Sequence, residues 1–181
     1  MPTLAITAIG IDRPGIVAAV TRVLLDHGCN LEDTAMSILR GQFAMVLVVD
    51  APAGTDAAAL EAALGSETAE LDLTASVREL HASAATATAE GSRWTVVVYG
   101  PDHPGIVHLV AARLAAANVN ILDVTTRVTE GSATAGSLYS MVMEVLLPPG
   151  LEPDAVEAAL TSGPEAEGLT CRLHPADADV L

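Results

Sequence analysis

The stretch Asp12–Val17, which reads Asp-Arg-Pro-Gly-Ile-Val, decides the fold because the chain repeats it. It returns 90 residues later at Asp102–Val107 as Asp-His-Pro-Gly-Ile-Val. The same spacing relates four further pairs: Gly10 and Gly100, Asn30 and Asn120, Leu31 and Ile121, and Asp33 and Asp123. A correspondence of this length indicates a duplicated structural unit. With only two copies, each must bury a core of its own, so we expect two similar domains.

The repeat also sets the expected limits of the domains within the 181-residue chain. We predict one domain at residues 1–80, a linker at 81–92, a second domain at 93–174 and an acidic tail at 175–181. The linker is rich in Ala, Thr and Ser and has no apolar periodicity. The second copy has gained six residues in its Gly-rich stretch 131–137. We expect a long hairpin connection there, with a lid over a neighbouring site as the alternative.

Charge and composition limit the classes of partner. The formal net charge is −15, so the surface repels phosphate backbones and direct nucleic-acid binding is not expected. Aromatic residues make up only 2% of the chain, which leaves little surface for stacking bases and predicts an aliphatic core.

Cysteine usage and hydropathy predict a cytoplasmic protein. Cys29 and Cys171 lie in different copies without metal-ligand spacing, so we expect two reduced thiols. No basic segment followed by an apolar run opens the chain, and no stretch approaches 18 apolar residues. We therefore expect no membrane association. The sequence predicts neither a metal site nor a cofactor.

Hydrophobic periodicity predicts the same order of elements in both copies, βαββαβ. In the first copy a strand stops at Gly10, and a helix begins at Pro14 with Asp12 or Arg13 as its cap. Gly28 is expected to end this helix in a left-handed conformation. The order predicts an α+β fold of two tandem ferredoxin-like domains, each an antiparallel sheet with both helices on one face. Because the third strands are apolar, we expect the helix-free faces to pack on the sister domain or on a second subunit.

The repeated turn has the chemistry of an amino-acid site. A strand-to-helix turn exposes free N–H groups that suit a carboxylate. Asp12 and Asp102 can accept hydrogen bonds from an ammonium group, and Asn30 and Asn120 offer both a donor and an acceptor. The alternative is that Asp-x-Pro-Gly is only a favourable helix start and that the asparagines are ordinary turn residues.

With the two copies of Gly-x-Asp-x-Pro-Gly-Ile-Val, each followed by the helix stripe and an Asn, the chain resembles a tandem ACT-domain protein. Chains of this length with two ACT domains resemble the glycine cleavage system transcriptional repressor group. The resemblance implies an amino-acid-sensing regulator that acts through contacts with a protein partner, forms a homodimer and carries no DNA-binding module. It also implies sites at ACT domain interfaces, formed by the first loop and the start of the second strand. The implied ligand-binding residues are Asp12, Pro14, Gly15, Ile16, Asn30 and Leu31, and Asp102, His103, Pro104, Gly105, Ile106, Asn120 and Ile121.

Two departures from the ACT pattern bear on the ligand. Gly10 and Gly100 stand where some serine-binding relatives carry His, which argues against serine. Arg13 becomes His103 and Gly28 becomes Asn118 in the second copy, so the two sites need not share a ligand.

Two other functions remain open. Tandem ACT domains can also form a ligand-free dimerisation or docking module, or a detached regulatory subunit of a metabolic enzyme. An enzyme is the third alternative, but the two copies account for the chain and leave no catalytic domain. No Ser/His/Asp arrangement is visible, so we predict no catalytic residues.

Overall fold

The computed structural model describes residues 1–80, 90–129, 137–162, 166 and 168–176. The chain divides into two compact units, residues 1–87 (unit 1) and 88–181 (unit 2), and each is described by itself. The domain limits given above remain a prediction. Most of the predicted linker and tail lies outside the described residues.

Unit 1 has six main elements and one short 3₁₀ turn. They are β1 Thr3–Ile11, α1 Ile16–Asp26, β2 Asn30–Leu39, β3 Gln42–Asp50, α2 Ala57–Glu67, the 3₁₀ turn Ala69–Leu71, and β4 Leu73–Leu80. The sheet has the order β2-β3-β1-β4, and every neighbouring pair is antiparallel.

Unit 2 repeats this order with its own sheet. Its elements are β5 Ser92–Pro101, α3 Ile106–Ala116, β6 Asn120–Thr129, β7 Leu138–Leu147, α4 Pro153–Thr161 and β8 Thr170–Pro175. The strand order β6-β7-β5-β8 is again antiparallel throughout. The prediction of two ferredoxin-like βαββαβ domains is therefore confirmed.

Each unit has a separate aliphatic core between its sheet and its two helices. In unit 1 the core receives alternate residues of β1 and β3, together with α1 residues at helical spacing. The strand residues are Leu4, Ile6, Ala8, Phe43, Met45, Leu47 and Val49, and the helix residues are Ile16, Val20, Val23 and Leu24. Full burial of one such large aliphatic side chain contributes about 1.5–3 kcal/mol.

The nearly continuous apolar run of β3 thus divides between two environments. Phe43 and Met45 are buried under the helices, while Val46 lies on the helix-free face and is 49% exposed. On the same face of β1, Ile9, which pairs with Ala44, is 55% exposed. In unit 2, Tyr99 and Val142 at the matching positions are also largely exposed.

The start of each first helix differs from the sequence-based prediction. The N-cap is Gly15 in α1 and Gly105 in α3, both left-handed with φ of 99°, and no side chain caps either helix. Pro14 and Pro104 precede the caps, and Asp12 lies three residues before Gly15. The prediction that Asp12 or Arg13 caps a helix beginning at Pro14 was therefore wrong. A left-handed glycine turns the chain sharply, so the helix begins two residues later than the proline suggests.

The ends of the same helices follow the prediction. Gly28 has φ of 68°, and Asn118 at the matching place has φ of 56°. The Cys29 N–H donates to the Leu24 carbonyl at 2.9 Å, as the Val119 N–H does to Leu114. Both ends are Schellman motifs, in which Asn substitutes for Gly because it tolerates the left-handed region.

The remaining differences are at element ends. Leu71 lies in the 3₁₀ turn, so β4 begins at Leu73, and Ser92 belongs to β5 rather than to the linker. The Gly-rich insertion lies outside the described residues except for Ser137, so the hairpin and lid alternatives stay open. Cys29 is half-buried and Cys171 buried; both are free, and burial raises the pKa of each thiol.

Candidate functional site

The two repeated turns, residues 12–15 (loop 1) and 102–105 (loop 2), are held in place by backbone hydrogen bonds. The Asp12 N–H donates to the Gly41 carbonyl at 2.9 Å, and the Asp102 N–H donates to the Ser137 carbonyl at 3.1 Å. Each bond ties the loop to residues that adjoin the third strand of its sheet. Loop 1 is also held by Arg13, whose Nη1 donates to the Glu70 carbonyl at 3.4 Å.

Both loops present a helix N-terminus that lacks any intrinsic counter-charge. Neither α1 nor α3 has a side-chain cap or an acidic residue in its first turn. The carbonyl of Gly15 accepts the first helical bond from Ala19, which leaves the N–H groups of the first turn without partners in the helix. The positive end of the helix dipole is therefore available to an anion.

Some of the predicted loop residues expose their side chains to a ligand, and others expose only their backbone. Asp12 and Asp102 are exposed, and their carboxylates make no hydrogen bond within the described residues. Pro14 and Pro104 are exposed as well. Ile16 and Ile106 send their side chains into the cores, so only their backbone N–H groups can face a ligand.

The predicted strand residues lie at the other end of each sheet. Asn30 pairs with Asp50, which also pairs with Thr3 at the start of β1, whereas loop 1 follows Ile11 at the end of β1. A nine-residue strand spans about 30 Å. Unit 1 therefore does not bring Asp12 and Asn30 together, because α1 carries the chain back along the sheet before β2 begins. The same register separates Asp102 from Asn120 in unit 2.

The neighbours of the asparagines differ between the units. Asn30 donates through Nδ2 to the Glu32 carboxylate, and Leu31 beside it is exposed. Asn120 lines a hollow of about 260 Å³ with Asn118 and Glu90, and Ile121 packs partly on the core of unit 2.

Loop 2 adjoins a larger hollow on the surface of unit 2. Its volume is about 620 Å³, and its described lining runs from the loop along α3: His103, Pro104, Gly105, His108, Leu109, Ala112, Arg113 and Ala116. The His103 Nδ1 lies 3.1 Å from the Pro104 carbonyl, and Arg113 donates to the Leu160 carbonyl at 2.6 Å. The described lining combines two histidines and an arginine with apolar side chains.

Sequence reasoning gave no binding role to His108, Leu109, Ala112 and Arg113. Ala18 and Val23 occupy the positions of His108 and Arg113 in unit 1, so the repeat gave no reason to select them. The helical spacing of 105, 108, 109, 112, 113 and 116 on one face was the available signal.

Tyr139 is a buried neighbour of loop 2 that the sequence did not identify. Burial raises the pKa of its hydroxyl, and the negative charge of Asp102 raises it further, while a hydrogen bond with Thr126 opposes the shift. Unit 1 has Phe43 at this position. The surroundings of Asp102 are therefore more polar than those of Asp12.

Gly10 and Gly100 are required by packing. A Cβ on Gly10 would lie 2.7 Å from the Asp72 carbonyl oxygen, and one on Gly100 would lie 2.6 Å from the Gly168 carbonyl oxygen. Both distances are far below a normal van der Waals contact, and the obstacle is backbone. The histidine that some serine-binding relatives carry at this position could not fit either unit without a shift of its sheet.

Family comparisons agree with this geometry. The sequence model of the ACT domain matches residues 2–78. A UPF0237 protein of Methanosarcina mazei is 40% identical over 63 residues, which cover 34% of this chain and 68% of that protein. The chain belongs to the ACT-domain family.

Two further matches extend beyond a single ACT domain. The glycine cleavage system transcriptional repressor of Escherichia coli is 32% identical over 124 residues, 68% of this chain and 64% of that protein. A crystal structure of a Galdieria sulphuraria protein has a TM-score of 0.82 at 27% identity and covers 97% of this chain and 98% of that one. The matches to the first curated relatives span 56% and 64% of those proteins' lengths. The chain is thus a tandem ACT-domain protein similar to the glycine cleavage repressor.

None of the helices in the described part of the chain combines the length and the apolar character that a bilayer span requires. Within the same residues, no three His, Cys, Asp or Glu side chains are grouped as metal ligands.

Proposed function

We propose that this tandem ACT-domain protein binds a small amino acid and uses it to control contacts with a protein partner. The observation that carries the proposal is the repeated, uncapped helix N-terminus behind Gly15 and Gly105, each with an exposed carboxylate three residues earlier. A free N–H cluster suits the ligand carboxylate, and Asp12 or Asp102 suits its ammonium group.

The distance between the loop and the asparagine in each domain limits which residues can contact one ligand. One amino acid cannot reach Asp12 and Asn30 of the same domain, because they lie at opposite ends of the sheet. A site that uses both kinds of residue needs a second ACT domain. Ligand binding would then favour the associated state, since it adds contacts that exist only there.

Loop 2 is the stronger candidate of the two. Its hollow is large enough for any natural amino acid, and His103 and His108 line it beside the uncapped N-terminus of α3. Leu109, Ala112 and Ala116 add apolar surface for an aliphatic part of the ligand.

The regulatory role is proposed from the named relative and from charge. The Escherichia coli relative is a transcriptional repressor by name, and a chain with a net charge of −15 is poorly suited to bind DNA itself. We therefore propose a homodimeric, cytoplasmic regulator of transcription that acts through protein contacts and has no catalytic activity.

A ligand-free docking module is the second candidate. It is favoured by the half-exposed apolar side chains on the helix-free faces, such as Ile9 and Val46. Such residues bind a protein partner without help from an amino acid.

Thermal unfolding against each of the twenty amino acids separates the two functions. A ligand at 100 times its Kd adds about 2.7 kcal/mol of stability, which raises the midpoint by several degrees. Asp12→Asn and Asp102→Asn should reduce this rise, because each removes the partner of the ammonium group. Glu79→Gln changes the same charge at the far end of the sheet and should leave the rise intact. No rise with any amino acid would favour the docking module.

A further inference from the structure

A polar hollow lies on the helix-free face of the unit 1 sheet. Its volume is about 400 Å³, and its described lining consists of Ala5, Thr7, Ser76 and Arg78. These residues alternate along β1 and β4 with buried residues such as Ile6, so they belong to the face opposite the helices. Thr7 pairs with Ser76, and Ala5 pairs with Arg78. The register of two adjacent strands therefore brings the four residues together.

The polar side chains of this hollow are hydrogen-bond donors without partners. The Arg78 guanidinium makes no hydrogen bond or ion pair within the described residues, and the hydroxyls of Thr7 and Ser76 make no hydrogen bond there. By contrast, Arg22 of the same unit pairs with Asp26 at 3.0 Å. A guanidinium presents five N–H donors in a planar fork, and each hydroxyl adds one more. The hollow thus offers a cation and two neutral donors to a ligand that carries several acceptor oxygens.

The matching place in unit 2 uses its arginine differently. By strand register, Arg172 of β8 is the counterpart of Ser76, and it pairs with Glu157 of α4 at 2.6 Å. In unit 1 the arginine stands two positions later, at Arg78, and lines the hollow. Unit 2 also has Val97 in place of the threonine. An arginine without an ion pair beside two hydroxyls is therefore found in unit 1 and not at the matching place in unit 2.

We propose that this hollow binds a small molecule through an oxyanion, which is a carboxylate or a phosphate group. Hydrogen bonds between a guanidinium and an oxyanion are charge-assisted and stronger than bonds between neutral groups. The net charge of −15 opposes anion binding at long range, but physiological salt screens this repulsion beyond about 8 Å.

Apolar side chains border the hollow on its β3 side. Val46 pairs with Thr7 and is 49% exposed, and Ile9, two residues further along β1, is 55% exposed. A short aliphatic body could cover these side chains while the oxyanion of the same ligand contacts Arg78. The surroundings therefore suit a small aliphatic acid as well as a phosphate.

This hollow is separate from loop 1 and does not depend on the proposed amino-acid function. Thr7 lies within β1, whereas loop 1 follows Ile11 at the end of the strand and leads into α1 on the other face of the sheet. The four residues from Thr7 to Ile11 span about 13 Å. An anion bound at the N-terminus of α1 would therefore affect Ile16 rather than the residues of the hollow.

Amide NMR spectra of the full chain, titrated at constant ionic strength, test the site with two probes, inorganic phosphate and isobutyrate. We expect saturable shifts of the Thr7, Ser76 and Arg78 amide signals. Shifts with phosphate alone would identify a phosphorylated ligand class, shifts with isobutyrate alone an aliphatic acid, and shifts with both a general oxyanion site. If neither probe gives a saturable shift at these amides up to about 100 mM, a range that includes weak millimolar binding, the proposal is wrong.

Substitutions then test which side chains hold the oxyanion. Arg78→Gln should weaken binding about tenfold or more, because it removes the charged donor. Thr7→Val should weaken it about two- to tenfold, the equivalent of one ordinary hydrogen bond. Unchanged amide signals in the rest of unit 1 check that each variant is folded.

Arg22→Gln is the matched control, because Arg22 is an exposed arginine of the same unit and its loss changes the net charge equally. It should leave the Kd of both probes unchanged. Equal weakening by R22Q and R78Q would overturn the proposal, because binding would then follow the net charge and not the hollow.

Discussion

Gly15 and Gly105 determine how the first helix of each domain begins. Their φ of 99° lies in the region that favours glycine, and open space surrounds the position that a Cβ would take. The requirement for glycine is therefore conformational rather than steric.

Gly15→Ala should lower the stability of unit 1 by about 1–2 kcal/mol, because alanine is strained in the left-handed region. Gly65→Ala is the matched control, since Gly65 lies within α2 with equally open space, and it should raise stability by up to about 1 kcal/mol. Calorimetry measures both. Equal effects of the two substitutions would contradict this account of Gly15.

The same residues show what sequence alone could predict about the site. The Asp-x-Pro-Gly pattern located the loop, but proline and aspartate also suit a helix start, so the cap was assigned to the wrong residue. Only the backbone angles show that glycine takes that place. The burial of Ile16 could be read from its helical stripe, whereas the absence of a cap could not.

The second helix of unit 2 stabilises the edge strand β8 through one carboxylate. Glu157 accepts the Leu173 N–H and pairs with Arg172, and together these hold the pKa of its carboxyl below the ordinary range. A lowered pKa means that the folded state favours the ionised form. The resulting stabilisation is present above the ordinary Glu pKa of about 4.3 and is lost as pH falls through the lowered value.

Glu157→Gln should therefore lower the unfolding midpoint of unit 2 at pH 7, and this difference from the wild type should close as pH falls below about 4. Trp94, the single tryptophan of the chain, lies in β5 and reports on unit 2. Glu90→Gln removes an exposed carboxylate of unit 2 and should give no such difference. A difference in unfolding midpoint that stays constant down to pH 2 would show that the ionised Glu157 carboxylate does not cause the stabilisation.

Strands were predicted both where burial alternates and where it does not, but the irregularity of an edge strand was not. Leu73 and Val77 of β4 alternate with polar residues, and the strand was found. On β2 every residue is exposed, and the ladder shifts register between Leu31 and Asp33. The sequence showed an imperfect alternation around Glu32, but a bulge at an edge is visible only in the pairing.

Across the whole molecule, duplication made the fold predictable. Two copies of one pattern, each with its own core, fixed the domain type and the order of elements. The site was less predictable. Asp12 and Asn30 belong to the same repeated sequence pattern, but they lie at opposite ends of the sheet. Sequence spacing does not show which end of a strand a residue occupies until the topology is known.

If the domains are independent, residues 1–87 and 88–181 should each fold when expressed alone. Each fragment should unfold cooperatively in urea with a slope about half that of the full chain, since the slope scales with the surface exposed. Circular dichroism measures this. A fragment that is unfolded in the absence of the other would contradict independent domains.

The buried thiol of Cys171 offers a chemical measure of how often unit 2 opens. Cys171 is only 1% exposed, and burial raises the pKa of its thiol, so the folded state protects the sulfur from modification. An alkylating reagent should therefore modify Cys171 mainly while unit 2 is open, whereas the half-buried Cys29 should react faster. Mass spectrometry of the two cysteine peptides after timed exposure would report this difference without a label or a mutation.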